Sequence, residues 1–340
     1  MTLVLSIAIL VTTLTSLVIV FRWRNLRCEG PLPAPLFTFI AILFTSGLDV
    51  GLIMFPLVDF GVYASEPEYA FANPLAIEFG FWGFLVWGFY FLTTFYFCVV
   101  EPKLRLFEIP LIKFANNVVI IGTCAFTGFL FLTYLPDYVT GIGDSARFLL
   151  VAGVILFATL SSTHIRFVTI LSVSSTWLFF ALIAGVWLAS GTGIIGFAGS
   201  LANIGDYFAN LHRFVLPITD YHRFYLYWWF AWSIMIGQFV ARFAGGLKTW
   251  QLLVALLVVP SIPIAVWFSV LYSYFSNDIP VGNGWRWAMI VVGVIFVVNS
   301  LDSLTRLYTQ NLNLTVERFG VGWYIAGNWL ALTKITGEHL

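Results

Sequence analysis

Residues 225–268 read YLYWWFAWSIMIGQFVARFAGGLKTWQLLVALLVVPSIPIAVWF, and this stretch largely decides the fold. Two long apolar runs flank a short turn at Gly245-Gly246. A membrane-spanning helix needs about 20 consecutive, mostly apolar residues. Each run is long enough to cross a bilayer, so the stretch predicts two membrane helices joined by a tight turn.

The rest of the chain has the same apolar character. Of its 340 residues 60% are hydrophobic and only 9% are charged, against about 25% charged residues in soluble domains, and the mean hydropathy is +0.95. These values exclude a water-soluble globular protein. Apolar runs of membrane-spanning length lie near 2–21, 36–60, 78–100, 115–135, 146–162, 167–190, 224–243, 250–275 and 285–306. A tenth run at 320–337 is short and interrupted by glycines, so we predict an all-α polytopic membrane protein with about nine or ten transmembrane helices.

Basic residues predict the orientation of these helices. When the loop at 22–35 is placed inside, eleven Lys and Arg residues gather on that side and four on the other, as the positive-inside rule requires. Arginines follow the first apolar run instead of preceding it, which is the reverse of a cleavable signal peptide. We therefore predict an anchoring first helix, an N-terminus outside, and a multi-pass protein of the cytoplasmic (inner) membrane.

The composition also excludes several functions. Lys plus Arg and Asp plus Glu number 16 each, so there is no excess of positive charge to bind nucleic acid. The four histidines are scattered, and the sequence has no metalloprotease, serine hydrolase or phosphate-loop motif. The three cysteines are too far apart in sequence for a zinc site. We therefore predict that the protein is not an enzyme and that it carries no organic cofactor.

The chain is expected to form a single membrane domain over residues 1–340, with a peripheral helix at 1–35. Residues 191–223, between the sixth and seventh apolar runs, carry four apolar residues on one helical stripe. These residues are Leu201, Ile204, Phe208 and Leu211. The periodicity predicts an amphipathic helix at the outer interface, and an ordinary surface loop is the alternative.

Two of the apolar runs carry clusters of large aromatic residues. In the seventh run Trp228 and Trp232 are four residues apart and share a helix face, while Trp229 points about 100° away. The cluster in the third run consists of Trp82, Trp87 and Tyr90. Aromatic rings that face one another bind a quaternary ammonium through the ring quadrupoles, at roughly 0.5 to 2 kcal/mol for each contact. The alternative is the belt of aromatic residues found at membrane interfaces.

Hydroxyl and amide side chains form a second set of candidates. Thr123 and Thr127 lie one turn apart in the fourth run, and Asn299 and Ser300 lie near the inner end of the ninth. In transporter folds, such oxygens bind monovalent cations together with backbone carbonyls that a broken helix leaves free. The alternative is a hydrogen bond from each hydroxyl to the preceding turn of its own helix.

The second apolar run contains residues that break helices. Gly47, Gly51 and Pro56 lie within it, which predicts an unwound or kinked segment with exposed carbonyls. Asp49 lies in the same segment, and an ionisable residue inside a membrane helix is a functional candidate by default. The alternative is that the Asp49 carboxyl has only a structural role.

These stretches together resemble the betaine/choline/carnitine transporter (BCCT) family over about residues 36–318. The most specific part is the stretch quoted first, in which the three tryptophans and the Gly245-Gly246 turn fall at the family's spacing. The glycines at 47 and 51, the aromatic residues from 82 to 90 and the threonines at 123 and 127 follow in the family's order. Ser300-Leu301-Asp302-Ser303 resembles a further family motif.

The resemblance implies a LeuT-like fold of two inverted repeats with the substrate at mid-membrane. The first repeat would cover 36–190, and an incomplete second repeat would cover 224–340. The residues implied to bind substrate are Trp82, Trp87, Tyr90, Trp228, Trp229 and Trp232, joined by Gly47, Asp49 and Gly51 of the unwound segment. The residues implied to bind sodium are Thr45, Leu48, Phe296, Asn299 and Ser300 at one site and Thr123 and Thr127 at a second.

Departures from the family pattern leave two functions open. The family usually has twelve helices, so we expect a short, truncated member; Asp49 replaces a family glycine, and Asn299 replaces a threonine. One hypothesis is a secondary transporter of a quaternary ammonium compound such as choline or glycine betaine, coupled to sodium or protons. The other is a transport-inactive subunit or anchor. Expected partners are a small cationic or zwitterionic solute, the lipid bilayer, and a second copy or another membrane protein.

Overall fold

The computed structural model describes residues 2–48, 50–138 and 141–337, which fold into α-helices without a β-strand. The first nine helices are α1 (Thr2–Trp23), α2 (Leu36–Gly47), α3 (Val50–Met54), α4 (Pro56–Ser65), α5 (Pro74–Trp82), α6 (Leu85–Phe95), α7 (Glu101–Leu104), α8 (Pro110–Tyr138) and α9 (Asp144–Ser161). The remaining helices are α10 (Ile165–Ser190), α11 (Gly193–Ala202), α12 (Gly205–Ala209), α13 (Asp220–Val240), α14 (Thr249–Leu253), α15 (Val259–Ser276), α16 (Asn283–Asn311), α17 (Val316–Phe319) and α18 (Val321–Gly337).

The predicted all-α polytopic class is confirmed. Within the described residues, seven helical stretches are long and apolar enough to cross a membrane, and each coincides with one predicted run. They are Leu3–Trp23, Pro74–Leu104, Pro110–Phe131, Asp144–Ser161, Ile165–Ser190, Thr249–Ser276 and Asn283–Asn311. The predicted run at 36–60 is divided among α2, α3 and α4, and the run at 224–243 lies in α13, whose first turn is polar. The short tenth run forms α18, a helix of 17 residues.

The second apolar run is interrupted twice. The first interruption separates α2, which ends at Gly47, from α3, which begins at Val50. Asp49 lies outside the described residues. The second interruption comes just before Pro56, where the missing N–H of proline removes one helical hydrogen bond. Both interruptions release backbone carbonyls for side chains of other helices.

The third apolar run is also broken, which its sequence pattern does not predict. α5 ends at Trp82 and α6 begins at Leu85. Between them Phe84 has a φ of 40°, a conformation that non-glycine residues rarely adopt. The break separates Trp82 from Trp87, so the two rings do not follow the periodicity of one continuous helix.

Residues 191–223 do not form the single amphipathic helix that their apolar stripe predicts. The short helices α11 and α12 are followed by a 3-10 turn. Ile204 of the stripe is buried, whereas Phe208 is 50% exposed. The fully buried rings are instead those of Tyr207 and Phe214, which pack against α5. The segment therefore folds around two rings that the stripe did not include.

The two aromatic clusters are held side by side by close packing of α6 and α13. At Gly237 an added Cβ would lie 2.4 Å from Oγ1 of Thr93, so only glycine fits there. Thr93 Oγ1 also donates a hydrogen bond of 2.7 Å to the carbonyl of Ser233. The long helix α16 packs against α2, α3, α8, α9, α10 and α13. It therefore brings the ninth predicted run against the break between α2 and α3.

Candidate functional site

Four of the six predicted aromatic side chains form a continuous series of contacts where α5, α6 and α13 meet. The ring centroid of Trp229 lies 5.1 Å from that of Trp82 and 6.5 Å from that of Tyr90. The centroids of Tyr90 and Trp87 are 4.8 Å apart. All four side chains are at most 2% exposed. Residues from both predicted clusters therefore share one buried site.

Trp228 and Trp232 form a second part of this aromatic cluster. Their rings stack with centroids 5.2 Å apart, and Trp232 is buried while Trp228 is half-buried. Trp228 and Trp82 both line a small cavity of about 30 Å³. Pockets for small ligands usually measure about 300–1,000 Å³. The space between the rings of Trp82 and Trp228 is therefore much smaller than an ordinary ligand pocket.

Side chains from neighbouring elements form hydrogen bonds with the backbone groups that the break between α5 and α6 leaves unpaired. The carbonyl of Phe81 accepts a hydrogen bond of 2.8 Å from the indole N–H of Trp229. In a continuous helix that carbonyl would pair with the N–H of Leu85, which instead donates to the hydroxyl of Tyr207 at 3.3 Å. The preceding N–H donates to Ser261 Oγ at 2.8 Å. Trp229 is therefore both a ring of the cluster and a support of the broken helix.

The unwound segment between α2 and α3 lies between the aromatic cluster and α16. The carbonyl of Gly47 accepts a hydrogen bond of 3.1 Å from the hydroxyl of Tyr90. A Cβ added to Gly47 would lie 3.4 to 3.6 Å from the rings of Tyr90 and Trp87. The next carbonyl, that of Leu48, accepts a hydrogen bond of 3.0 Å from Ser300 Oγ. One broken segment thus touches the predicted substrate residues on one side and a predicted sodium ligand on the other.

A third freed carbonyl follows from Pro56. Because proline has no N–H, the carbonyl of Leu52 has no partner four residues later. This carbonyl accepts a hydrogen bond of 3.1 Å from the indole N–H of Trp267 on α15. The nearby Gly51 is buried, and its carbonyl accepts from the N–H of Phe55. Trp267 is not among the predicted site residues, and a proline four residues after a carbonyl is the sequence signal that indicates such a contact.

The other residues of the first predicted sodium site are not all brought together. The amide of Asn299 donates to Ser175 Oγ at 3.1 Å and accepts from Ser172 Oγ at 3.4 Å. Both serines belong to α10, so this side chain points away from the Leu48–Ser300 contact. The difference arises because consecutive residues on a helix point about 100° apart.

Thr45 and Phe296 were expected to contribute backbone oxygens at the same site. Both residues are fully buried on either side of the interface between α2 and α16. The hydroxyl of Thr45 donates to the carbonyl of Ala41 at 2.8 Å, within its own helix. The ring of Phe296 packs against that of Phe44 with centroids 6.0 Å apart. Their side chains are thus occupied elsewhere, and a ligand role would have to use the main chain.

The second predicted sodium pair lies on α8. The hydroxyl of Thr127 donates a hydrogen bond of 3.0 Å to the carbonyl of Thr123, one turn earlier. A hydrogen bond back to the preceding turn is the usual arrangement of threonines in membrane helices, and it is the alternative to a sodium site. Thr127 also lines the small cavity beside Trp82 and Trp228, so the pair adjoins the aromatic cluster. A sodium-binding role for this pair stays a prediction.

No sequence signal singled out two acidic residues beside the aromatic cluster. Glu78 on α5 is completely buried, and Tyr63 donates to its carboxyl at 2.8 Å. Asp59 on α4 accepts a hydrogen bond of 3.2 Å from Tyr221. Each acid lies at the edge of an apolar run, where the sequence alone predicts a residue at the membrane surface. Burial in the folded chain is what distinguishes them.

Comparisons with known proteins show which transporters the chain is similar to in sequence. The model of the betaine/carnitine/choline transporter family matches residues 118–274. A glycine betaine transporter of Acinetobacter baylyi is 22% identical, over 80% of this chain and 46% of that protein. The glycine betaine transporter OpuD of Bacillus subtilis is 24% identical, over 69% of this chain and 54% of that protein.

An uncharacterized transporter of Haemophilus influenzae is 28% identical, over 72% of this chain and 44% of that protein. The chain spans about half the length of the curated relatives it matches. The match extends across α8 to α15 and includes the tryptophans of α13. The chain is therefore a multi-pass membrane protein that is similar to the betaine/carnitine/choline transporter family over residues 118–274.

Proposed function

We propose that the chain takes part in secondary transport of a quaternary ammonium compound such as choline or glycine betaine. The single observation that carries this proposal is the contact between the rings of Trp82 and Trp229, which come from two different helices. Two of its relatives are named glycine betaine transporters. A trimethylammonium group has no hydrogen-bond donor, so ring faces in a dry site suit it better than polar side chains.

Opening of the aromatic cluster would be part of binding. The cavity beside Trp82 and Trp228 holds about 30 Å³, which is enough for one or two water molecules. Tyr90 is hydrogen-bonded to the unwound segment at Gly47, so movement of its ring also moves a freed carbonyl. Asp49, in the same segment, is proposed as an additional group that attracts the cationic head.

Coupling to sodium is proposed at the break between α2 and α3. The supporting feature is Ser300 Oγ, which lies 3.0 Å from the carbonyl oxygen of Leu48. Main-chain oxygens of Thr45 and Phe296 would complete an all-oxygen donor set, which is the chemistry a hard monovalent cation prefers. Asn299 would support the site only indirectly, through its bonds to α10.

Transport by the purified protein in liposomes tests the proposal. Under an inward sodium gradient we expect accumulation of labelled choline or glycine betaine, and Trp232→Ala should abolish it. Trp323→Ala is the matched control, because Trp323 on α18 is 80% exposed. Equal uptake by the parent and Trp232→Ala, or uptake by neither under sodium or proton gradients, would contradict a transport role.

A second function is a membrane component that no longer transports and works through a protein partner or a second copy. The observation that favours it is the small volume of the cavity beside Trp82 and Trp228, about 30 Å³. Isolation from mild detergent distinguishes the two functions. A stable complex with another membrane protein, combined with no uptake, would support the second. A particle of this chain alone that accumulates choline or glycine betaine would exclude it.

We further propose that the protein resides in the cytoplasmic membrane. Its apolar helices and its relatives from bacteria support this location. Fractionation of cells into inner and outer membranes tests it, with the inner fraction expected.

A further inference from the structure

A completely buried carboxyl lies one helical turn before the predicted aromatic cluster. Glu78 on α5 is 0% exposed. Its Oε2 is 2.8 Å from the hydroxyl of Tyr63 on α4. Among the described residues, its Oε1 has no hydrogen-bond partner. An ionised carboxylate in such a place would be costly, because one of its oxygens has lost water without gaining a donor.

A second carboxyl is connected to the first through tyrosines. Asp59 on α4 accepts a hydrogen bond of 3.2 Å from the hydroxyl of Tyr221, and that hydroxyl lies 3.2 Å from the hydroxyl of Tyr225. Tyr63, which donates to Glu78, follows Asp59 by four residues on α4 and so lies on the same face of that helix. Asp59 is half-buried while Glu78 is completely buried. The two acids therefore form one network with a more accessible end and an inner end.

The described surroundings of this network supply no compensating positive charge. The titratable groups that face it from α4 and α13 are Asp59, Tyr63, Tyr221 and Tyr225. His222 of α13 is buried, stacks on Phe81, and uses its Nδ1 to accept from the backbone of Ile218. Arg223 on the same helix is paired with Asp220 at 2.8 Å, where the aspartate is exposed.

The other elements packed against α5 add no cation to the network. Asp206 and Tyr207 belong to α12; Asp206 accepts from Asn73, and Tyr207 accepts from the backbone of Leu85. Tyr90 of α6 donates to Gly47, and Tyr272 of α15 packs against Phe60. Two carboxyls that share such an environment cannot both be ionised without a large penalty. At least one proton therefore belongs to the pair.

We propose that Glu78 and Asp59 form a proton-binding site, and that its occupancy is coupled to substrate binding through Trp82. The proton site itself stands on the buried carboxyls. The coupling rests on the proposed function of the aromatic cluster.

Trp82 provides the physical link between the two sites. It follows Glu78 by four residues and so lies on the same face of α5. Its indole N–H, like Oε1 of Glu78, completes no hydrogen bond of normal geometry among the described residues. The four-residue spacing on one helix places the two side chains next to each other. The ring of Trp82 meanwhile contacts Trp229 and lines the small cavity.

Two states of the network follow from this geometry. With Glu78 ionised, Tyr63 donates to Oε2 and the indole N–H of Trp82 turns toward Oε1. With Glu78 protonated on Oε2, that O–H donates to Tyr63, Tyr63 donates onward to Asp59, and the ring of Trp82 is released toward the substrate. The proton enters from water at the half-buried Asp59. Protonation of Glu78 and occupancy of the rings would thus be coupled through the position of the Trp82 ring.

Infrared spectroscopy of the purified protein tests the proton site directly. The C=O stretch of a protonated carboxyl is distinct from that of a carboxylate and shifts in D₂O. We expect the parent to show such a band, Glu78→Gln to lose it, and Glu68→Gln to retain it, because Glu68 lies on an exposed turn. Asp59→Asn should move the pH at which the band disappears, which provides a second test if Glu78→Gln does not fold. An unchanged band in both network variants would overturn the proposal.

Ligand binding across pH then tests the coupling. We expect the apparent affinity for choline to change with pH by roughly 5- to 150-fold in the parent and in Glu68→Gln, and to be independent of pH in Glu78→Gln. The same pH dependence in Glu78→Gln would overturn the coupling. If choline binds at no pH while the infrared band behaves as expected, the proposed function fails and the proton site stands.

Discussion

Trp229→Phe tests whether the indole of Trp229 holds the broken third membrane segment. The substitution keeps an aromatic ring beside Trp82 but removes the 2.8 Å hydrogen bond to the carbonyl of Phe81. A buried carbonyl left without its donor costs about 1–3 kcal/mol. The smaller ring also leaves a gap, which adds to that cost. We expect a loss of at least 1–3 kcal/mol in the free energy of unfolding.

The free energy of unfolding is to be measured by SDS titration of purified protein in detergent. Trp187→Phe is the matched control, because its buried indole N–H has no hydrogen-bond partner among the described residues. Removal of an unpaired donor leaves only the cost of the gap. The difference between the two variants therefore isolates the hydrogen bond. Equal losses for Trp229→Phe and Trp187→Phe would refute the role of the indole in supporting the break.

Three further substitutions test other parts of the structure. Ser300→Ala should abolish the rise in melting temperature that sodium causes. Ser269→Ala should leave that rise intact, because the Ser269 hydroxyl bonds within its own helix. Equal responses of the two variants would argue against the sodium site. Gly237→Ala places a Cβ 2.4 Å from a threonine oxygen and should lower the free energy of unfolding by about 1–3 kcal/mol. Gly88→Ala, where no atom lies closer than 3.9 Å to the added Cβ, should not destabilise the protein. The reverse order in thermal melts would contradict the packing of α6 on α13. Asp302→Asn removes the negative charge that compensates a buried guanidinium 3.1 Å away and should cost about 3–5 kcal/mol. A loss below 1 kcal/mol in SDS titration would show that the pair is solvated.

The membrane class and most helix positions could be predicted because apolar length is a local property. Seven of the predicted runs coincide with long apolar helices. The break in the second run was also predictable, since Gly47 and Pro56 carry its signal. The break before Leu85 was not, because it depends on distant partners. Trp229 and Tyr207 supply the hydrogen bonds that the broken helix lacks.

The candidate site was predictable in its residue types and less so in its geometry. Helical spacing and the family resemblance identified the six aromatic residues, but they did not predict that the cavity beside Trp82 and Trp228 measures only about 30 Å³. Asn299 and Ser300 are adjacent in sequence, yet their side chains contact different helices. Glu78 lies at the start of an apolar run and became a candidate only through its burial. Long-range packing decides each of these features.

Equilibrium dialysis of labelled choline and glycine betaine against the purified protein tests the central claim most directly. The account predicts saturable binding that is lost in both Trp82→Leu and Trp229→Leu, because each helix supplies one wall of the same site. Binding should persist in Trp177→Leu, since Trp177 on α10 is 59% exposed. Retention of binding in Trp82→Leu and Trp229→Leu, or its equal loss in Trp177→Leu, would contradict the claim that rings from two helices form one site.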